Sequence, residues 1–470
     1  MTGLLLTLAA MAHSPTPALA DLRAAASSVD VTPDPSAQPV WMAGFDMGRQ
    51  ATGVHDAICS RALVVSDGKV TVGLVALDLI GLMEPQVAAI RRETGKAVDY
   101  LVVASTHNHE GPDTMGLWGQ TPFSTGIDPA YIERLTGAVS AQIETLAQQL
   151  RPVSMRAVQL EAPVAEFVRD SRDPYVIDNA LSAFQLLGPD GRAVATVVNW
   201  ACHPEALWSR NTLLSADYPG ALCRRLEERF GGTGIFFSGA LGGMMTPDHR
   251  RDDKGEKLHT FEESERIGRG IADRASDALE KAEPAGAPAV TFRSKELFLP
   301  VVNRRYHLAL GLKMLQRDVF TKDGKPFTGT IAPKNVPCIR SEAAVVTLGP
   351  VTAALVPGEL FPELATGGYD GSKSFGHDIV RKDNPNPPDL SKAPKGPYLR
   401  DLMEAPVEFV IGLANDEVGY ILPEYDFRAN MKSATMEPKP EGDHYEETNS
   451  LGKKTAPLIL GALEELLRAR

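Results

Sequence analysis

His107 and His109 stand two residues apart in Thr106-His107-Asn108-His109-Glu110-Gly111-Pro112-Asp113. The pair follows the apolar run Tyr100-Leu101-Val102-Val103, which reads as a buried strand, and Gly111-Pro112 signals a turn just beyond it. Side chains two positions apart on extended backbone point the same way. Neutral imidazole is the commonest side-chain ligand of zinc, so the pair points to a metal site. Taken alone, the pattern also fits two histidines bonded to nearby backbone or simply solvated. Repetition of the layout elsewhere decides between these readings.

The layout recurs twice. Ala193 to Ala201 reads as a strand and runs into His203-Pro204. Val351 to Val356 reads as the second strand of a hairpin turned by Gly349-Pro350, and it ends in Pro357-Gly358-Glu359. Open α/β sheets gather ligands at the carboxyl ends of their strands. Three strand exits therefore offer His107, His203 and Glu359, a donor set used by catalytic zinc with a position left for water.

The elements that must position these residues alternate between strands and helices. Strands are expected at Val70 to Leu77, Tyr100 to Ala104, Ile235 to Phe237, Ala344 to Leu348 and Val407 to Leu413. Helices are expected at Pro85 to Glu93, Pro129 to Leu150 with Asp128 as N-cap, Tyr218 to Phe230, Phe261 to Lys281 and Thr455 to Leu467. The segment from Ser372 to Pro397, rich in Pro, Lys, Asn and Asp, reads as a long surface loop. The expected fold class is α/β: a single large catalytic domain with mixed sheets and flanking helices, and a metal site at strand ends. No internal repeat and no domain linker interrupts it.

A chain of 470 residues with 43% hydrophobic and 23% charged residues has a normal globular balance. Its net charge of −12, with no basic block, argues against nucleic acid or an anionic membrane surface as partner. Leu4 to Ala12 is a short apolar core, and Ala18-Leu19-Ala20 fits a cleavage site before Asp21. Residues 1–20 are therefore expected to be a signal peptide, with residues 21–470 the exported domain, periplasmic or secreted. No stretch is long and apolar enough to serve as a transmembrane anchor. Cys59, Cys202, Cys223 and Cys338 match no zinc-binding spacing. One disulfide would be compatible with export, and Cys202 reads as a buried, inert thiol.

From about Ala24 to Gly452 the chain resembles the neutral/alkaline non-lysosomal ceramidase family, in its amino-terminal catalytic domain. The landmarks come in family order: Met42-Ala43-Gly44-Phe45, Gly53-Val54-His55 with Arg61-Ala62, Ala76-Leu77-Asp78 and the His107 segment. His203-Pro204, Ser215-Ala216-Asp217-Tyr218-Pro219-Gly220, Pro357-Gly358-Glu359, Asn415-Asp416 with Gly419-Tyr420, and Tyr445-Glu446 complete the set.

The resemblance implies a zinc amidase that cleaves the N-acyl bond of ceramide, with His107, His203, Glu359 and Tyr420 as the metal ligands. It implies His109 beside the metal as an acid/base or oxyanion group. Tyr445 and an arginine, Arg172 or its near neighbour Arg169, would bind developing negative charge, with Tyr420 counted among the catalytic groups as well as the ligands. A ceramide-like substrate further implies peripheral contact with membrane or lipid aggregates.

The sequence departs from the family pattern at four places. Asn108 and Glu110 replace the Thr and Ser of Thr-His-Thr-His-Ser-Gly-Pro. Gly242-Gly243-Met244-Met245-Thr246-Pro247-Asp248 stands where the family has Gly-Asp-Val-Ser-Pro-Asn, which disfavours a serine nucleophile at this turn. No immunoglobulin-like tail domain is expected before Arg470, and an insertion separates Tyr425 from Tyr445. Two other readings stand beside ceramide hydrolysis: a zinc hydrolase of another amide or ester, and a catalytically silent binding protein on the same scaffold.

Overall fold

The computed structural model describes residues 22–469 except 286–288, 333–334, 436, 438–439 and 443. The expected leader, residues 1–20, lies outside the described residues.

Three five-stranded sheets build the molecule. The first runs Tyr100–Ser105, Thr71–Leu77, Cys59–Ser66, Arg23–Asp30, Arg151–Pro152. The second runs Thr233–Ser238, Ala193–Trp200, Ala180–Leu187, Ser154–Glu161, Pro284–Ala285. The third runs Val290–Pro300, Cys338–Leu348, Val351–Leu355, Val407–Ile411, with Val319–Phe320 added beside Cys338–Leu348.

Each sheet is antiparallel except for one parallel pair. Those pairs are Thr71–Leu77 with Tyr100–Ser105, Ala193–Trp200 with Thr233–Ser238, and Val351–Leu355 with Val407–Ile411. Parallel strands are buried on both faces, so they read as unbroken apolar runs. All six of these strands are announced by the sequence, and Ala344 to Leu348, within the antiparallel strand Cys338–Leu348, is announced with them. Their antiparallel neighbours carry polar residues that break the pattern. In the fully buried Cys59–Ser66 strand, Ser60 donates to Gln142 Oε1 at 2.7 Å and Arg61 pairs with Glu227 at 2.8 Å.

One apolar core joins the three sheets. Leu63, Val72 and Val102 from the first meet Phe184, Val197 and Ile235 from the second and Val346, Leu355 and Phe409 from the third. Because the sheets share this core, the carboxyl ends of their parallel pairs are brought together.

Helices cover the outer faces. In Pro129–Gln148 the Asp128 carboxylate accepts from the Ala130 amide at 3.0 Å, and Pro129 begins the helix where no amide donor is required. Tyr131, Leu135, Val139, Ile143 and Leu146, three or four apart, form the buried stripe against the first sheet. Asp217–Phe230 and Phe261–Leu279 cover the second sheet, and Thr455–Arg468 covers the third. All four cysteines are free and buried, and burial raises the Cys202 thiol well above its ordinary value. Among the described residues no helix is long and apolar enough to cross a membrane.

Candidate metal centre

The three expected donors lie just past three parallel-pair strands, one from each sheet. After Ser105 the chain turns through His107, whose φ of +67° is unusual for a side chain of this size. The turn is held by Thr106 donating to Leu77 O at 2.8 Å and Asn108 donating to Leu79 O at 3.0 Å.

His107 Nδ1 lies 2.8 Å from the Ile80 carbonyl, and His203 Nδ1 lies 2.8 Å from the Met245 carbonyl. A carbonyl can only accept, so both Nδ1 atoms carry a proton, and when the rings are neutral it is Nε2 that offers the lone pair. This outer hydrogen bond fixes ring and tautomer, as it does for metal-binding histidines generally.

Both Nε2 atoms face one carboxylate oxygen. Glu359 Oε2 is 3.2 Å from His203 Nε2 and 3.4 Å from His107 Nε2. A tetrahedral site with bonds of roughly 2.05 Å has ligand-to-ligand edges of about 3.3 Å, so these separations fit a zinc ion. Burial pushes the Glu359 carboxyl up, but the His107 and His203 imidazoles outweigh it and hold it down at about 2.

Glu359 itself is placed by a close backbone approach. A Cβ on Gly242 would lie 2.1 Å from the Glu359 carbonyl oxygen, so only glycine lets that turn seat the segment, and its amide donates to Leu360 O at 2.8 Å. Glu359–Leu360 pairs in parallel with Tyr420–Ile421, in the register Glu359 opposite Tyr420. Tyr420 enters the site through this pairing, and its hydroxyl approaches Met244 Sδ at 3.5 Å.

His109 completes the cluster. The ligand nitrogens of His107, His109 and His203 all lie within 4.8 Å of one another. Neither ring nitrogen of His109 has a hydrogen-bond partner among the described residues, although it is buried. The nearest acid is Glu205, whose Oε2 lies 3.8 Å from Nδ1. Burial, then the His107, His203 and Arg49 charges, push the His109 imidazole well below its ordinary range, so it is neutral. Gly44, with φ +97°, leaves room for this ring: a Cβ there would meet His109 Cγ at 2.5 Å. The arrangement thus clusters three imidazoles, sets the Glu359 carboxylate against two of them, and lines the same cleft with the Tyr420 phenol.

The two departures beside the histidines lock the turn. Asn108 Nδ2 donates to the carbonyls of Asp78 and Ser215 at 3.0 and 2.7 Å, and its Oδ1 accepts from the Glu110 amide at 3.0 Å. Glu110 Oε2 accepts from Asn211 Nδ2 at 2.9 Å and faces Arg49 at 3.4 Å. Arg49 also donates to the carbonyls of Ala43 and His109.

The cleft at the histidines has a volume of about 60 Å³, and His107, His109, Glu359, Tyr420, Tyr445 and Glu417 line it. Tyr445 sits at its mouth, 48% exposed, with its ring 5.9 Å from that of Tyr420. Burial of the phenol, with Glu359 nearby, pushes it up to about 12, so it is an O–H donor at neutral pH.

Arg172 is not brought to this cleft. Its guanidinium pairs with Glu446 at 2.6 Å and with Asp426, and lies over the Phe361 ring at 5.1 Å. Arg169 and Arg172 line a separate polar cavity of about 520 Å³. The turn at Gly242-Gly243-Met244 brings no serine to the cleft. Sequence reasoning missed two acids near the histidines, Glu205 and Glu417. The signal for each was its place beside a landmark residue, two positions after His203 and three before Tyr420.

No family model and no curated protein sequence matches the chain. Solved structures do. A crystal structure of neutral ceramidase from Pseudomonas aeruginosa superposes with a TM-score of 0.68 over 96% of this chain and 74% of that one, at 14% identity. A structure described as ceramidase complexed with C2 gives a TM-score of 0.67 over 96% and 75%, also at 14% identity. Likeness at this identity speaks to architecture: the chain has the fold of the bacterial neutral ceramidase structures.

Proposed function

We propose that the chain is a zinc-dependent hydrolase that cleaves the N-acyl amide bond of ceramide or a related N-acyl lipid to a fatty acid and a free amine. The observation that carries this reading is the meeting of His107, His203 and Glu359 from three sheets around one point, on a scaffold shared with neutral ceramidase structures. His107, His203, Glu359 and Tyr420 would hold the metal. Zinc, when bound, supplies Lewis-acid polarisation of the amide carbonyl and lowers the pKa of water to roughly 7.

The protein's own groups divide the remaining work. Neutral His109, beside the ligands and not committed to any protein hydrogen bond, takes a proton from the nucleophile and returns it to the leaving amine. The Tyr445 hydroxyl at the mouth donates to the oxyanion as it forms. Arg172 steadies Tyr445 indirectly, through its ion pair to the adjacent Glu446. A narrow apolar crevice of about 20 Å³, lined by Met83, Met115, Leu117, Leu310 and Leu315, adjoins the cleft.

The test is metal content by elemental analysis, with fatty-acid release from ceramide measured with and without a chelator. One equivalent of zinc and chelator-sensitive release are expected. A panel of shorter N-acyl amides and esters belongs in the same assay, because the cleft of about 60 Å³ admits only the reacting group and its neighbours. A metal-free, inactive protein would overturn the proposal.

A further inference from the structure

Two of the three clustered imidazoles have their Nδ1 atoms fixed by backbone: His107 by the Ile80 carbonyl and His203 by the Met245 carbonyl, both at 2.8 Å. No carbonyl serves His109, whose ring nitrogens have no hydrogen-bond partner among the described residues. What stands at its Nδ1 is a carboxylate, Glu205 Oε2 at 3.8 Å. Glu205 is 3% exposed, and among the described residues no lysine or arginine lies within ion-pair distance of it. A buried carboxylate without a cation or hydrogen bond is costly, and an apolar residue would fill the space without that cost. The backbone holds the two side chains next to each other, because the His109 amide donates at 3.1 Å to the carbonyl of Pro204, the residue before Glu205. The ring is confined elsewhere by Gly44, which leaves no room for a Cβ against Cγ, and by Phe45, packed edge-on with centroids 4.8 Å apart.

We infer that Glu205 is the positioning residue of His109: its carboxylate accepts from Nδ1–H and so turns the Nε2 lone pair to the chemistry. The pairing stands on the geometry, and its consequence for turnover rests on the hydrolase reading above. An ionised carboxylate can only accept, so it does for His109 what the two carbonyls do for His107 and His203. The separation of 3.8 Å is long for a hydrogen bond, but such bonds are commonly long before substrate binds and tighten in the complex. The proton taken from the nucleophile enters at Nε2 and leaves from Nε2. The Nδ1 proton stays between ring and carboxylate throughout, so Glu205 orients the ring without itself giving or taking a proton.

The test joins kinetics to a spectroscopic readout. Glu205→Leu is expected to lower kcat by about 10² with KM changed by less than about twofold and zinc content unchanged. Glu205→Asp, which keeps the carboxylate, retains part of the activity. In a His109→Ala background Glu205→Leu should cost nothing more, because its effect passes through the missing ring. An equal loss in both backgrounds overturns the inference and makes Glu205 merely structural. Loss of zinc from Glu205→Leu comparable to His107→Ala also overturns it, by putting Glu205 in the metal centre, and so does full activity in the folded variant. The second readout is nitrogen NMR of metal-free protein labelled with ¹⁵N at histidine, with the His109 signals assigned from His109→Ala. The proton is expected on Nδ1 in the wild type and on Nε2, or shared between the two, in Glu205→Leu. A wild-type His109 protonated on Nε2 overturns the pairing without any variant having to fold. A wild type that hydrolyses no amide overturns the hydrolase reading, and the NMR result still decides the pairing.

Discussion

Gly44→Ala tests the role of His109 without removing any ligand or titratable group. The added Cβ would lie 2.5 Å from His109 Cγ and 2.6 Å from Nδ1, whereas ordinary contact begins at 3.4 Å. The imidazole must therefore give way by roughly 0.9 Å, or the Ala43–Phe45 backbone must. A misplacement of about 1 Å in a group that transfers protons costs on the order of 10² in rate. The backbone adds its own strain, about 1–3 kcal/mol for an alanine held at φ +97°. That is tolerable in a chain with this much buried core. The three atoms nearest the new methyl all belong to His109, so zinc should stay. The assay is kcat and KM on the preferred amide, with zinc content and circular dichroism on the same preparation, set beside His109→Ala. A drop of about 10² in kcat with zinc retained is expected for Gly44→Ala, and a drop of about 10² to 10⁴ for His109→Ala. Full activity in a folded Gly44→Ala protein would refute the claim that His109 acts in the chemistry. Zinc loss in both variants, matching His107→Ala, would show that the third imidazole is a ligand and that the proton must travel elsewhere.

His107→Ala and Glu359→Ala should each lose zinc and activity together, whereas Tyr420→Phe should fold normally and release zinc at a lower concentration of competing chelator, read by elemental analysis after dialysis. Burial raises the Glu363 carboxyl to about 8, with Arg172 opposing and Asp426 and Glu446 reinforcing the shift. Its folded-state value lies above the unfolded 4.5, so its contribution to stability is present below pH 4.5 and is lost as pH rises to about 8, at up to about 1.4 kcal/mol per pH unit. Glu363→Gln should therefore flatten the fall in thermal midpoint between about pH 5 and 8, and an identical profile in both proteins would discount that carboxyl. Sequencing of protein recovered from the secreting host should start near Asp21, and a chain still bearing residues 1–20 would remove the export reading.

The sequence announces the site where burial is two-sided and stays silent where it is not. His107, His203 and Glu359 follow strands of parallel pairs, whose continuous apolar runs are easy to see. The antiparallel strands Arg23–Asp30, Ser154–Glu161 and Ala180–Leu187 are harder to read. Ser154–Glu161 alternates irregularly between exposed and half-buried positions, and Gln185, though buried, is polar because it bonds to Arg156 and Thr196. Tyr420 could not be found by periodicity at all. It is brought to Glu359 by a ladder of two residues on each strand, too short to leave a pattern.

The departures at the histidine turn carry the same lesson in reverse. Asn108 and Glu110 look, from spacing alone, like candidates for altered chemistry beside His107 and His109. The structure shows them turned away from the cleft and spent on the turn itself. Asn108 ties the turn to the Asp78 and Ser215 carbonyls, and Glu110 ties it to Asn211 and Arg49. Arg49 in turn holds the His109 carbonyl and the Ala43 carbonyl, and Ala43 precedes the glycine that makes room for the His109 ring. Residues that differ from the resemblance at this turn therefore act on the orientation of His109 through the backbone. Glu417, three positions before Tyr420, is different in kind. It lines the cleft, and its Oε2 has no hydrogen-bond partner among the described residues.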